Sequence, residues 1–134
     1  MASRETDLGA AELEVLRALW DRGPASVRQV MDHLHERGRR VAYTTVLTFL
    51  TRLEQKGFVR SDKSELAYVY RAKVSRRRIT RSRVKQLLQQ LYDGAAGPLV
   101  LELIRNAELT PDEIEELQTL IERLDAKPGK RSKP

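Results

Sequence analysis

The sequence predicts a mainly helical protein of the α+β class, with one unit over residues 1–73, a second over 74–126 and a tail at 127–134. Three observations carry this expectation. Apolar residues recur three and four positions apart in six separate stretches, the spacing of one helix face. Two β-prone segments, Phe58-Val59 and Tyr68-Val69-Tyr70, flank a short polar insert after the third of those stretches. The net charge of +6 is unevenly distributed: residues 37–85 hold 15 basic and 3 acidic residues, a sum of +12, while 1–36 and 86–134 each sum to −3.

The first helix is expected over about Ala10 to Asp21, with Leu13, Leu16, Arg17 and Trp20 on one face and Gly23-Pro24 ending it. Ser26 and Gln29 have capping-box spacing, so that each side chain serves the other residue's backbone N–H. The second helix follows with the stripe Val27, Val30, Met31 and Leu34, and runs out near Gly38. Trp20 and Met31 are read as core residues. A third helix fits Tyr43 to Lys56 and stops at Gly57, a residue suited to the left-handed turn after a helix. Val46, Phe49, Leu50 and Leu53 fall within an arc of ~100° and face the core. Thr44, Thr48, Thr51 and Gln55 lie on the opposite side, with Leu47 and Arg52 at its borders. Threonine is poor material for a helix chosen only for stability. Its short hydroxyl and methyl do suit close approach to phosphates and base edges. The alternative is a merely solvated face.

Phe58-Val59 and Tyr68 to Tyr70 then read as a two-stranded hairpin, with Ser61 to Glu65 as the turn and Lys63 near its tip. Three helices followed by a hairpin, with basic residues around the third helix, describe a winged helix-turn-helix. In that arrangement the third helix enters the major groove and the hairpin touches the backbone beside it.

Beyond the hairpin, Ser75 caps a long helix that begins RRRITRSRVK and carries Val84, Leu87, Leu88 and Leu91 toward a core. Arg76, Arg77, Arg78, Arg81 and Arg83 in its first turns either screen phosphates or keep the connection solvated. Gly94 to Gly97 break the helix, and Pro98 suits the first position of a short one, LVLELIRN. Thr110-Pro111-Asp112-Glu113 combines an N-cap, proline at N1 and a capping-box glutamate. Ile114, Leu117, Leu120, Ile121 and Leu124 form the stripe of the helix that follows, which ends near Asp125. These three helices are too short, and too apolar on one side, to stand alone. They form either a small core with the chain's own first unit or one shared with a second copy. The shared core is expected, built from Leu87, Leu88, Leu91, Leu99, Leu103 and the stripe of the last helix, which makes this a three-helix dimerisation domain. The tail KPGKRSKP is expected to be disordered.

Composition removes other classes. The 134 residues contain no cysteine, which excludes a disulfide framework and thiolate metal sites. No apolar run approaches the ~20 residues of a membrane span, and the first residues lack a signal-peptide pattern, so a cytoplasmic protein is expected. His33 and His35 are two apart, unlike the i, i+4 pair of a helical zinc site. No phosphate-binding glycine loop or nucleophile elbow is present, and capping explains Asp112, Glu113, Glu115 and Glu116. The expectation is a non-enzyme without metal or cofactor, whose basic segment binds a polyanion. A sequence-specific DNA-binding repressor leads. A protein-interaction adaptor and a sequence-independent DNA-binding protein are the alternatives.

Four segments carry a resemblance to a known family: ELEVLRALW, SVRQVMDHL, AYTTVLTFLTRLEQKGFV and VLELIRNAELTPDEIEELQTLI. Over about residues 8–125 the chain resembles the penicillinase-repressor family of bacterial winged-helix transcriptional repressors. The resemblance implies a dimer on a palindromic operator, with Thr44, Thr45, Leu47, Thr48 and Arg52 facing the DNA. Leu47 stands where some relatives carry a basic residue. Thr51, Arg28, Arg40, Tyr43 and Lys63 complete the expected DNA-facing set. The resemblance also implies release by a membrane sensor metalloprotease, or a protease downstream of it, that cuts an Asn–Phe bond in the short helix before the last. The matching positions are Glu102-Leu103, next to Leu101, and the control point is expected within Leu99 to Ile104. Copper-responsive members bind metal through C-terminal cysteines, which this chain lacks.

Overall fold

The computed structural model describes residues 8–64, 66 and 68–126. The expected disordered tail at 127–134 lies outside the described residues. Helices α1 (Ala10–Arg22), α2 (Val27–Glu36) and α3 (Tyr43–Gln55) pack on one another, and an antiparallel hairpin of β1 (Val59–Asp62) and β2 (Val69–Ala72) follows. Helices α4 (Arg76–Tyr92), α5 (Ala96–Asn106) and α6 (Pro111–Ala126) complete the chain. The architecture is thus a winged helix-turn-helix followed by three further helices.

The local rules hold at most boundaries. Ser26 and Gln29 form the capping box, with Gln29 N–H donating to Ser26 Oγ at 3.1 Å and Ser26 N–H to Gln29 Oε1 at 2.9 Å. Thr110 and Glu113 form another at the start of α6, at 3.1 and 2.9 Å. Ser75 Oγ caps α4 by accepting from Arg78 N–H. Gly57 takes φ of +87° just after α3, where a side chain would be strained.

The core of the amino-terminal unit gathers Val15, Leu16, Leu19, Val30, Val46, Leu50, Leu53, Phe58, Val59 and Tyr70, with Ile79 of α4 at its edge. Ala25 ties the turn before α2 to the hairpin. Its N–H donates to the Tyr70 carbonyl at 3.1 Å and its carbonyl accepts from Tyr70 N–H at 2.8 Å. The wing is therefore stitched to the helical core at its centre.

Four sequence expectations shift. The buried face of α1 is Glu12, Val15, Leu16, Ala18 and Leu19 rather than Leu13, Leu16, Arg17 and Trp20. Both α2 and α3 pack on α1, and together they cover a wider face, rotated from the one the leucine spacing suggested. Trp20 sits at the rim, half-buried, because its indole N–H donates to the Val74 carbonyl at 2.8 Å. Ser61 and Asp62 belong to β1 rather than to the turn, since the register pairs Ser61 with Tyr70 and Asp62 with Val69. The Glu54 carboxylate secures that extension by accepting from Ser61 N–H and Oγ–H at 3.1 and 2.7 Å. Helix α5 begins at Ala96, so Pro98 lies in its first turn, where no N–H is needed. Val84, Leu87 and Leu91 of α4 are exposed in the single chain, as a core shared with a second copy would require.

Helix α4 is docked on the amino-terminal unit by three contacts. Arg76 donates to Asp21 and lies over the Trp20 ring at 5.4 Å, Ile79 is buried, and Arg83 donates to the Leu8 carbonyl at 2.7 Å. Helix α5 packs on α4, while neither α5 nor α6 buries any residue.

Candidate nucleic-acid interface

The core stripe of α3 leaves the other side of that helix open. Val46, Leu50 and Leu53 are fully buried, and Phe49 is packed against the core. Tyr43, Thr44, Thr45, Leu47, Thr48, Thr51, Arg52 and Gln55 are exposed. Two features preset side chains on that face. Thr48 Oγ–H donates to the Thr44 carbonyl at 2.9 Å, which uses its proton within the helix and leaves the exposed hydroxyl oxygen as an acceptor. The Arg52 guanidinium lies over the Phe49 ring at 5.7 Å, which fixes the direction in which it leaves the helix.

The fold brings this helix beside the wing. A cleft of about 460 Å³ is lined by Ser26, Val27, Arg28, Tyr43, Leu47, Leu66, Tyr68 and Tyr70. The expected site residues Arg28, Tyr43 and Leu47 thus meet in one concavity between the start of α2, the start of α3 and the hairpin. Arg40 lies apart from them in the turn before α3, exposed. Lys63 stands at the end of β1 with its ammonium 5.2 Å over the Tyr68 ring.

Two features of the hairpin were not legible in the sequence. Tyr68 was assigned to a strand; it lies outside the ladder, exposed, and lines the cleft. The ladder also places Arg60 directly opposite Arg71, both exposed. Like charges facing each other across a hairpin destabilise it unless something anionic lies between or above them. The nearby Asp62 carboxyl is held below its ordinary value, first by hydrogen bonds from the Ser64 backbone N–H and side chain, and less by the charges of Arg71 and Arg60. That pairing depends on register, which the primary sequence left undefined.

Other chemistry is thinly represented. Among the described residues no three of His, Cys, Asp and Glu converge on one point. His35 Nε2–H donates to the Val41 carbonyl at 2.8 Å, and His33 Nε2 lies 3.9 Å from Asp21 Oδ2, so the two rings serve different surroundings. No described helix is long and apolar enough to cross a membrane.

A family model described as penicillinase repressor matches residues 8–123. The penicillinase repressor of Staphylococcus aureus is 29% identical over 127 residues, covering 95% of this chain and 100% of that protein. The methicillin resistance regulatory protein MecI of Mammaliicoccus sciuri is 28% identical over 123 residues, covering 92% and 99%. A solved structure described as the complex of hsRosR-S4 shares the fold, with a TM-score of 0.50 at 17% identity over 92% of this chain and 94% of that one.

Proposed function

Because the chain belongs to the penicillinase repressor family and is a DNA-binding repressor, we propose that it works as a homodimer on a palindromic operator, reading one half-site with each α3. The single observation that supports this most is the exposed α3 face beside the wing, within the segment that sums to +12. In this reading residues 1–73 are the reading head and 74–126 the dimerisation domain. Thr44, Thr45, Leu47, Thr48, Thr51 and Arg52 meet base edges. Arg28, Arg40, Tyr43 and Lys63 meet the backbone, together with Tyr68, Arg60 and Arg71. Two-fold symmetry in the protein then matches two-fold symmetry in the site.

The dimer reading draws on the apolar surface that one chain leaves open. Leu87, Leu91, Leu103, Ile114, Leu120, Ile121 and Leu124 are all exposed, and Leu88, Leu99 and Leu117 are half-buried. A face of this size on three adjacent helices needs a partner of matching shape, and a second copy supplies one. Release by proteolysis in Leu99 to Ile104, with Glu102-Leu103 as the bond, completes the proposal. A membrane sensor metalloprotease or a protease downstream of it is the proposed agent. Cutting there detaches α6 and with it much of the shared apolar surface.

The test of the reading helix is a gel shift at fixed salt on a palindromic site from the protein's own promoter. Thr48→Ala and Arg52→Ala are each expected to weaken operator binding by about 1–3 kcal/mol, the range of a base-edge contact, while the oligomeric state is unchanged. Wild-type affinity in both variants would remove α3 from the recognition role.

A further inference from the structure

The first turns of α4 are an unfavourable place for the residues found there. The helix carries Arg76, Arg77, Arg78, Arg81, Arg83 and Lys85 and no acidic residue. A helix N-terminus already presents partial positive charge, so cations in the first turn oppose the macrodipole. Arg77, Arg81 and Lys85 also stand four apart, the spacing at which like charges repel along a helix.

The docking of α4 divides five of these cations, all but Arg78, into two sets. Arg76 and Arg83 flank buried Ile79 on the side that contacts α1 and Leu8. At about 100° per residue, Arg77, Arg81 and Lys85 fall within an arc of ~80° on the opposite side of the helix. All three are exposed and form no ion pair among the described residues. The docked set is satisfied within the protein, and the outer set is left facing solvent.

Along the chain the outer set follows two further cations. Arg71 and Lys73, both exposed, lead from the wing into α4, and Arg71 faces Arg60 across the ladder. A hairpin and a helix, next to each other in the chain, therefore both hold like charges close together. Asp62 offsets part of the Arg60–Arg71 pairing, while among the described residues no carboxylate pairs with Arg77, Arg81 or Lys85. An extended polyanion relieves both at once, whereas solvation alone would be served equally well by a mixture of signs.

We propose that Arg77, Arg81 and Lys85 form a ridge that binds the phosphodiester backbone of duplex DNA, as a contact surface additional to α3 and the wing. The inference rests on the repressor reading and extends its interface onto the connecting helix. The ridge reads no bases, since phosphate contacts set position and strength without carrying sequence information. Its part is to raise affinity for any duplex equally and to steepen the dependence on salt.

The experiment measures binding of the full chain to its promoter site and to random duplex across a salt series. The variant is Arg77→Gln, Arg81→Gln, Lys85→Gln, which keeps good helix formers in place. Losing three phosphate contacts is expected to reduce the magnitude of the log–log salt slope by about 2.7 per chain. The loss of affinity between about 50 and 200 mM salt then shrinks by roughly fortyfold per chain, while the ratio of operator to random binding stays constant. The conservative variant Arg77→Lys, Arg81→Lys is expected to keep the wild-type slope.

An unchanged slope in the glutamine variant, with wild-type helicity and oligomeric state, overturns the ridge. So does weakening confined to the operator. If the slope is unchanged and the variant instead loses binding to poly-glutamate, the ridge belongs to an acidic protein partner and the proposal fails. A wild-type chain that shows no salt-dependent duplex binding would refute the repressor reading as well, which separates the two failures.

Discussion

Glu12 is the one charged side chain buried among the described residues. Its Oε1 accepts from Gly9 N–H at 3.1 Å and from Lys56 Nζ at 2.9 Å, joining the start of α1 to the end of α3. Burial by itself raises this carboxyl. The Lys56 hydrogen bond, the Gly9 N–H and the charges of Lys56 and Arg52 outweigh that effect and hold it below its ordinary value. A carboxyl depressed in the folded state stabilises the fold fully above its unfolded pKa, and that contribution is lost as pH falls through the lower folded value. Glu12→Gln is therefore expected to cost about 1–3 kcal/mol at neutral pH, because Lys56 and Gly9 lose an ionised acceptor. Urea unfolding at pH 7 and again in acid checks this, with the difference between variant and wild type narrowing in acid. Equal stability at pH 7 would show that the pair contributes nothing. None of this was legible in the sequence, where Glu12 reads as an ordinary first-turn acid. Its burial follows from α3 crossing over it.

The joint between α1 and α4 decides how the reading head is carried. Asp21 accepts from Arg76, and this hydrogen bond is the main reason its carboxyl lies below the usual value, with Arg37 and Arg17 acting in the same direction. Its contribution follows the same sign as that of Glu12, present at neutral pH and fading in acid. The Trp20 ring lies beneath the Arg76 guanidinium while its N–H holds the Val74 carbonyl. Arg76→Ala is expected to cost about 0.5–1 kcal/mol, the range for an exposed ion pair with cation–π help. The chain has a single tryptophan, so its emission reports this joint directly and should shift to longer wavelength as α4 loosens. An unmoved spectrum would mean that Ile79 and Arg83 hold the helix without it. The capping signals of α2, α4 and α6 were readable in the sequence because a cap is a local device. The contacts of Trp20 join residues 54 and 56 positions apart, and local pattern carries no information about them.

At the scale of the molecule, the apolar faces of α4 to α6 are expected to close against a second copy. Sedimentation at micromolar concentration should give twice the 15.4 kDa chain mass. Leu120→Asp with Ile121→Asp should give the monomer while leaving the reading head folded, because neither residue touches the amino-terminal core. Cleavage at Glu102-Leu103, followed by mass spectrometry, should produce the same dissociation. A wild-type monomer would overturn the shared core, and a cut chain that stays dimeric would overturn proteolytic release. The first three helices bury their stripes within one chain, and the last three do not.

The sequence by itself determined the element order, the helix caps, the core stripe of α3 and the concentration of positive charge after residue 36. Each depends on residues within a few positions of one another, through helical periodicity, capping chemistry and composition. Tertiary structure decided which face of α1 is buried, since two helices compete for it. It decided the wing register that sets Arg60 against Arg71 and the meeting of Arg28, Tyr43, Leu47 and Tyr68 in one cleft. It also separated the docked arginines of α4 from the exposed ones. These are consequences of packing between distant segments, where the direction a side chain faces is set by its neighbours in space.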